Sequence, residues 1–175
     1  MILQTLTLLR NINKALFISL ALFCCGLQMQ AQTMTEDEIM AKLNEASALD
    51  NAKKTAEALD AFLLIGKNMV QQQTEVEHQI YVYCQTKACK CYETLNRYEE
   101  AYLLAKKLIA GNLTEKEKKD VGHLYAVNGY LYASSFMHGN NRQLVKARTI
   151  LEEIMPYADG KVREYALPKI PLSWY

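Results

Sequence analysis

Histidine, cysteine, tyrosine and lysine are the side chains of this 175-residue sequence that could carry chemistry, and their spacing limits what that chemistry can be. His78, His123 and His138 are scattered, and none has a second ligand at the short spacing a metal site uses. There is no HExxH zinc helix, no GxSxG nucleophile elbow and no phosphate-cradling loop. Glu75 and Glu77 beside His78 are the acids of a helix start. No nucleophile-and-base set can be assembled, so the expectation is a chain without catalytic residues, metal or cofactor. An enzyme would require a cleft of converging titratable groups that only folding could build.

The cysteines point the same way. Cys24 and Cys25 lie in an apolar leader; Cys84, Cys89 and Cys91 lie in one helical stretch. An odd number is no disulfide framework. Cys84 and Cys91 are two helical turns apart, roughly 10 Å, too far for a bridge. Cys89-Lys90-Cys91 lacks the two-residue gap of a redox or zinc pair. Three small, buried, apolar cysteines are expected. The eleven tyrosines, Tyr81, Tyr83, Tyr92, Tyr98, Tyr102, Tyr125, Tyr130 and Tyr132 among them, sit mostly at core spacing and suit packing between helices.

The elements that would position these residues are helices. Half of the residues are apolar, with only three Pro and seven Gly. Thr35-Glu-Asp-Glu38, Thr74-Glu-Val-Glu77 and Thr114-Glu-Lys-Glu117 each fit a capping box, at intervals of 39 and 40 residues. Behind each cap, apolar residues recur at three- and four-residue steps. Ile39, Leu43, Ala46 and Leu49 form the first stripe; Ala58, Phe62, Ile65 and Met69 follow. Next come Val76, Ile80, Cys84, Ala88, Cys91 and Leu95, then Ala101, Ala105 and Leu108. Val121, Leu124, Tyr125, Asn128, Leu131 and Tyr132 precede Leu144, Ala147, Leu151 and Ile154. Gly111 is placed to stop a helix and Gly139-Asn140-Asn141 to make a turn. Six helices in three hairpins are predicted, over about 35–70, 74–110 and 114–157. Glu115 to Asp120 reads as a solvated helix start. Asn112-Leu-Thr114 fits a glycosylation pattern, but capping accounts for Thr114.

Residues 1–31 read as a secretory signal. Arg10 and Lys14 close a basic region, Ala15 to Leu27 form an apolar run, and Gln28 to Gln32 end it. The run is shorter than the roughly 20 residues needed to span a bilayer. Cleavage after Ala31 or after Gly26 would fit; a retained anchor is the competing reading. A lipoprotein signal at Cys24 or Cys25 is disfavoured by bulky Phe23. The form of the signal resembles those of Bacteroidetes bacteria, implying a periplasmic or cell-surface location. Loss of Arg10 and Lys14 would change the net charge from +1 to −1, which gives no electrostatic case for nucleic acid.

The three hairpins align on small residues. Ala46, Cys89 and Gly129 mark the first helices, followed three residues on by Leu49, Tyr92 and Tyr132. Ala58, Ala101 and Ala147 mark the second helices, followed by Phe62, Ala105 and Leu151, then Ile65, Leu108 and Ile154. A small residue where helices cross lets backbones approach. On these residues, and on Asn96-Arg-Tyr-Glu-Glu-Ala101 above all, the chain resembles the tetratricopeptide repeat family over roughly 35–157. The alanines are 43 and 46 residues apart, against about 34 in the family, so either long first helices or a looser helical solenoid is expected.

The resemblance implies an all-α fold of tetratricopeptide-like hairpins stacked into a short right-handed solenoid. It also implies a concave face, formed by first helices, that binds a protein or peptide. By position that face would carry Asn44 and Ser47, then Tyr83, Thr86, Lys87 and Lys90, then His123 and Tyr130. Lys87 and Lys90, one turn apart, could hold a carboxylate or acidic peptide; the competing reading is an ordinary solvated face. No membrane span beyond the signal is expected. Residues 158–175 contain Pro168, Pro171 and an apolar end at Trp174 and Tyr175, and read as the start of a further helix or a truncated tail. Self-association through that end is one possibility; another is that the chain is the periplasmic sensor region of a longer signalling protein.

Overall fold

The computed structural model describes residues 34–69, 74–137 and 141–166, and among these all regular structure is helical. The helices are α1 Glu36–Asn51, α2 Thr55–Asn68, α3 Glu75–Thr94, α4 Tyr98–Ile109, α5 Glu115–Ser134, α6 Asn141–Ile154 and α7 Gly160–Ala166. A 3₁₀ turn, Met155–Tyr157, precedes α7. Each of α1 to α6 packs against its neighbours in sequence, and α5 also touches α3, the 3₁₀ turn and α7. The leader with its proposed cleavage points, the Gly139 turn, and Pro168 to Tyr175 lie outside the described residues. None of the described helices is long and apolar enough to cross a membrane.

The two kinds of helix start differently. At α1, α3 and α5 the three capping boxes form. The Glu38, Glu77 and Glu117 backbone N–H groups donate to the threonine hydroxyls at 3.3, 3.2 and 3.3 Å. The threonine N–H groups donate back to the glutamate carboxylates at 2.8, 2.9 and 2.8 Å. The orphan N–H groups at these helix starts are met by side-chain acceptors. Helices α2 and α4 have no side-chain cap. Their starts are set by the tight reversal before them, in which Lys53 and Asn96 take left-handed φ values of 60° and 57°. Lys54 N donates to Leu49 O, and Arg97 N to Tyr92 O, the wrapped bond of a Schellman ending. Both turns lie seven residues past a small residue, so the repeat extends to backbone conformation.

The small residues that mark the repeat are buried. Ala46, Ala58, Cys89, Ala101 and Ala147 are wholly inaccessible. The Cys89 thiol donates to the Ala101 carbonyl at 3.7 Å, showing how closely α3 and α4 approach. At Gly129 a Cβ would collide with Ile154 Cγ2 and lie 3.3 Å from Tyr102 Cδ2. Phe62, Ile65, Leu108, Leu151 and Ile154 fill the space around the crossings. Tyr102, Tyr125 and Tyr132 form an aromatic core, with the Tyr102 ring 5.4 Å from Tyr125 and 5.6 Å from Tyr132. The hydroxyls escape burial without a partner: Tyr102 donates to Glu153 at 2.7 Å and Tyr132 to Glu99 at 2.5 Å.

Helix α3 departs from its predicted stripe. Val76 is 57% exposed, while Val82, Gln85 and Cys89, off the stripe, are buried. The reason is that α3 is covered by α2, α4 and α5, so more than one face is inside. Gln85 packs over Gly66, where a side chain would strike its amide. In the repeat, Gln85 and Ala88 correspond to Tyr125 and Asn128 of α5, all four buried against the preceding hairpin. In α1 the same positions hold Lys42 and Glu45, which instead border a surface groove with Leu49 and Leu64. After the 3₁₀ turn, Gly160–Ala166 forms α7, with Ala158 and Ala166 buried.

Gly129→Ala should lower stability by about 1–3 kcal/mol, the usual range for forcing volume into a packed core. Gly122→Ala, whose Cβ would meet only the Tyr157 ring at 3.1 Å, should be much milder. Urea denaturation of both variants checks the contrast. Lys53→Gly should raise stability by up to about 1 kcal/mol, because glycine occupies the left-handed region without strain.

Candidate functional site

The first helices leave one face uncovered by α2, α4 and α6, and two depressions run along it between α3 and α5. The lower, of about 470 Å³, lies between the two helix starts and is bordered by Glu75, His78, Lys116, Glu117 and Asp120. The upper, of about 460 Å³, is bordered by Thr86 and Lys90 of α3, Lys119, Asp120, His123 and Leu124 of α5, and Asp159 before α7. Asp120 borders both depressions, which lie along the α3–α5 seam.

Three of the residues expected on the partner-binding face, Thr86, Lys90 and His123, meet in the upper groove. Asn44 is exposed and Ser47 half-buried on α1, away from it. Tyr83 is 43% exposed on the α3 face; its ring meets Phe62 edge-on at 6.2 Å. Two residues serve the fold more than a partner. Lys87 is half-buried and its ammonium donates to Asp50 of α1 at 2.7 Å. That bond raises the Lys87 pKa above its ordinary value against the opposing effect of burial. Lys87 is therefore committed to an internal pair, and the proposed Lys87–Lys90 clamp is reduced to Lys90. Tyr130 is half-buried, its ring 6.4 Å from that of Tyr165 on α7.

A histidine–carboxylate pair sits at each depression. His78 Nε2 lies 3.2 Å from Glu117 Oε2, joining α3 to α5; His123 Nδ1 lies 2.9 Å from Asp159 Oδ1, joining α5 to the turn before α7. Burial works to raise the Glu117 pKa, but hydrogen bonds from Thr114 and from His78 outweigh it and hold the carboxyl below its ordinary range. Lys90, Lys119 and Asp120 pair with no opposite charge among the described residues. The upper groove thus offers two available ammonium groups, one available carboxylate and an apolar floor at Leu124. Lys119 and Asp120, one turn before His123, could have been read from helical spacing. Asp159 could not, because only the fold brings it to α5.

The cysteines are inert as nucleophiles. Cys84, Cys89 and Cys91 are free and buried. Burial pushes the Cys84 and Cys89 thiols up to about 12, and raises Cys91 as well. A thiolate is the reactive form, and these sites suppress it. No group of three or more metal-ligating side chains is found among the described residues.

The fold and groove define an all-α chain of successive helical hairpins with a solvent-facing seam between first helices. Compared with known proteins, the chain matches no family model, no curated protein and no solved structure.

The thiols give a pH prediction. An unfolded cysteine ionises near 8.5, whereas the folded Cys84 and Cys89 hold their protons up to about 12. Their contribution to stability is full below the unfolded value and is lost as pH rises through the folded one. Stability should therefore fall between about pH 8.5 and 11 more steeply in the wild type than in a Cys84→Ala, Cys89→Ala variant, each compared with its own value at pH 7 in urea titrations.

Proposed function

We propose that this chain is an exported, tetratricopeptide-like module that binds a protein or peptide on the face formed by its first helices and carries out no catalysis of its own. The observation that carries the reading is the α3–α5 groove, where Thr86, Lys90 and His123 converge around cations that the fold has left unused. Long capped first helices, short second helices and buried small residues at each crossing support a tetratricopeptide-like stack, wound as a short right-handed solenoid. The leader sequence supports export to the periplasm or cell surface. Suppressed thiols and structurally engaged tyrosine hydroxyls support binding over catalysis.

Site-specific photocrosslinking in the producing cell tests this. A photoreactive residue at Thr86 or Lys90 should give discrete adducts, while one at Leu103 or Lys107 on α4 should not. Adducts from α4 alone, or from none of the four positions, would count against the first-helix face as the binding surface.

A further inference from the structure

Resting on that reading, we infer that the partner is an extended peptide bearing an apolar or aromatic residue and, about three residues from it, an acidic one, seated between Tyr83 and Lys90. Two features of α3 carry this. Tyr83 is the first. Its ring is braced on one side by the edge of Phe62 at 6.2 Å, and the Lys87 ammonium lies 5.9 Å from its centroid. Lys87 is itself tied to Asp50 at 2.7 Å. The ring is thereby held in place while 43% of the residue remains exposed. A large aromatic surface that has already lost its freedom makes a good anchor, because binding incurs little further ordering cost.

Lys90 is the second feature. It stands seven residues after Tyr83, two turns along the same helical face, with Thr86 between them. Its ammonium has no acid partner among the described residues, unlike Lys87. Lys119 across the groove is also unpaired, so the available charge in the upper groove is two cations against the single carboxylate of Asp120. An anionic group is the complement. The other acid there, Asp159, is engaged with His123 at 2.9 Å.

The spacing follows from geometry. Seven helical residues rise about 10 Å. An extended chain advances about 3.3 Å per residue, so a peptide lying along α3 covers the distance in about three residues. Lysine's flexible stem widens this to two to four, but one or six residues falls outside its reach. Val76, 57% exposed two turns before Tyr83, continues the apolar end of the face.

The test is a library of fluorescent heptapeptides, each with one Phe or Leu and one Glu separated by one to six positions. Binding is measured by fluorescence polarisation to residues 32–175. Affinity should peak at a separation of two to four and fall at least tenfold at one and six. Tyr83→Ala and Lys90→Ala should each weaken the best peptide about tenfold, with Lys107→Ala, on α4, as the unaffected control. Lys90→Glu, a change at an exposed position, should shift the preference from Glu to Lys at the same separation. That reversal is a readout that a merely destabilised protein would not give. Binding that depends on Lys90 but ignores the separation, or survives Tyr83→Ala, overturns the peptide class and leaves the groove as the site. No binding by any member of the library overturns both.

Discussion

The absence of a side chain beyond one or two heavy atoms at each helix crossing is the constraint on which the rest of this structure depends. Ala46 against α2, Cys89 against Ala101 and Gly129 against Ile154 allow first and second helices to approach until backbone and side chain touch. Close approach lets the large residues three, four and seven positions away close over the crossing, and that burial is the main stabilising term. The third crossing, where Tyr102 and Ile154 press on the same point, has room only for glycine.

Tyrosine resolves a second problem, that of bulk near a surface. Hairpins only two helices thick have little interior, and a long aromatic side chain must reach from core to solvent. Tyr102 and Tyr132 do so, their rings packed inside with centroids 5.6 Å apart and their hydroxyls bonded to Glu153 and Glu99. Lys106 and Lys146 complete these groups by meeting Glu153 and the Tyr132 hydroxyl. Burial raises the Tyr102 pKa, and the neighbouring carboxylate raises it further, so the hydroxyl remains a donor.

With cores and second helices satisfied in this way, polar contacts between first helices are left to shape the exposed face of those helices. One electrostatic bridge spans each seam: Asp50–Lys87 between α1 and α3, His78–Glu117 between α3 and α5, and His123–Asp159 between α5 and the turn before α7. These pairs engage particular polar side chains. What remains available, Lys90, Lys119 and Asp120, is defined as much by what the seams consume as by what the helices display.

The sequence by itself determined the helices, their caps and the points where they cross. Capping boxes act between residues three apart, apolar stripes follow the helical period, and the small residues repeat at nearly constant spacing, so each of these signals is local. It also placed Thr86, Lys90 and His123 on first helices. It did not show that Lys87 would be taken by Asp50, that Tyr165 would meet Tyr130, or that Val76 would be exposed while Gln85 was buried. Those outcomes depend on which neighbour packs against which face, and on charges 35 or more residues apart in the chain coming within hydrogen-bonding distance. Local periodicity places a residue on a helix face, but only tertiary packing decides whether that face meets solvent, a carboxylate or another ring.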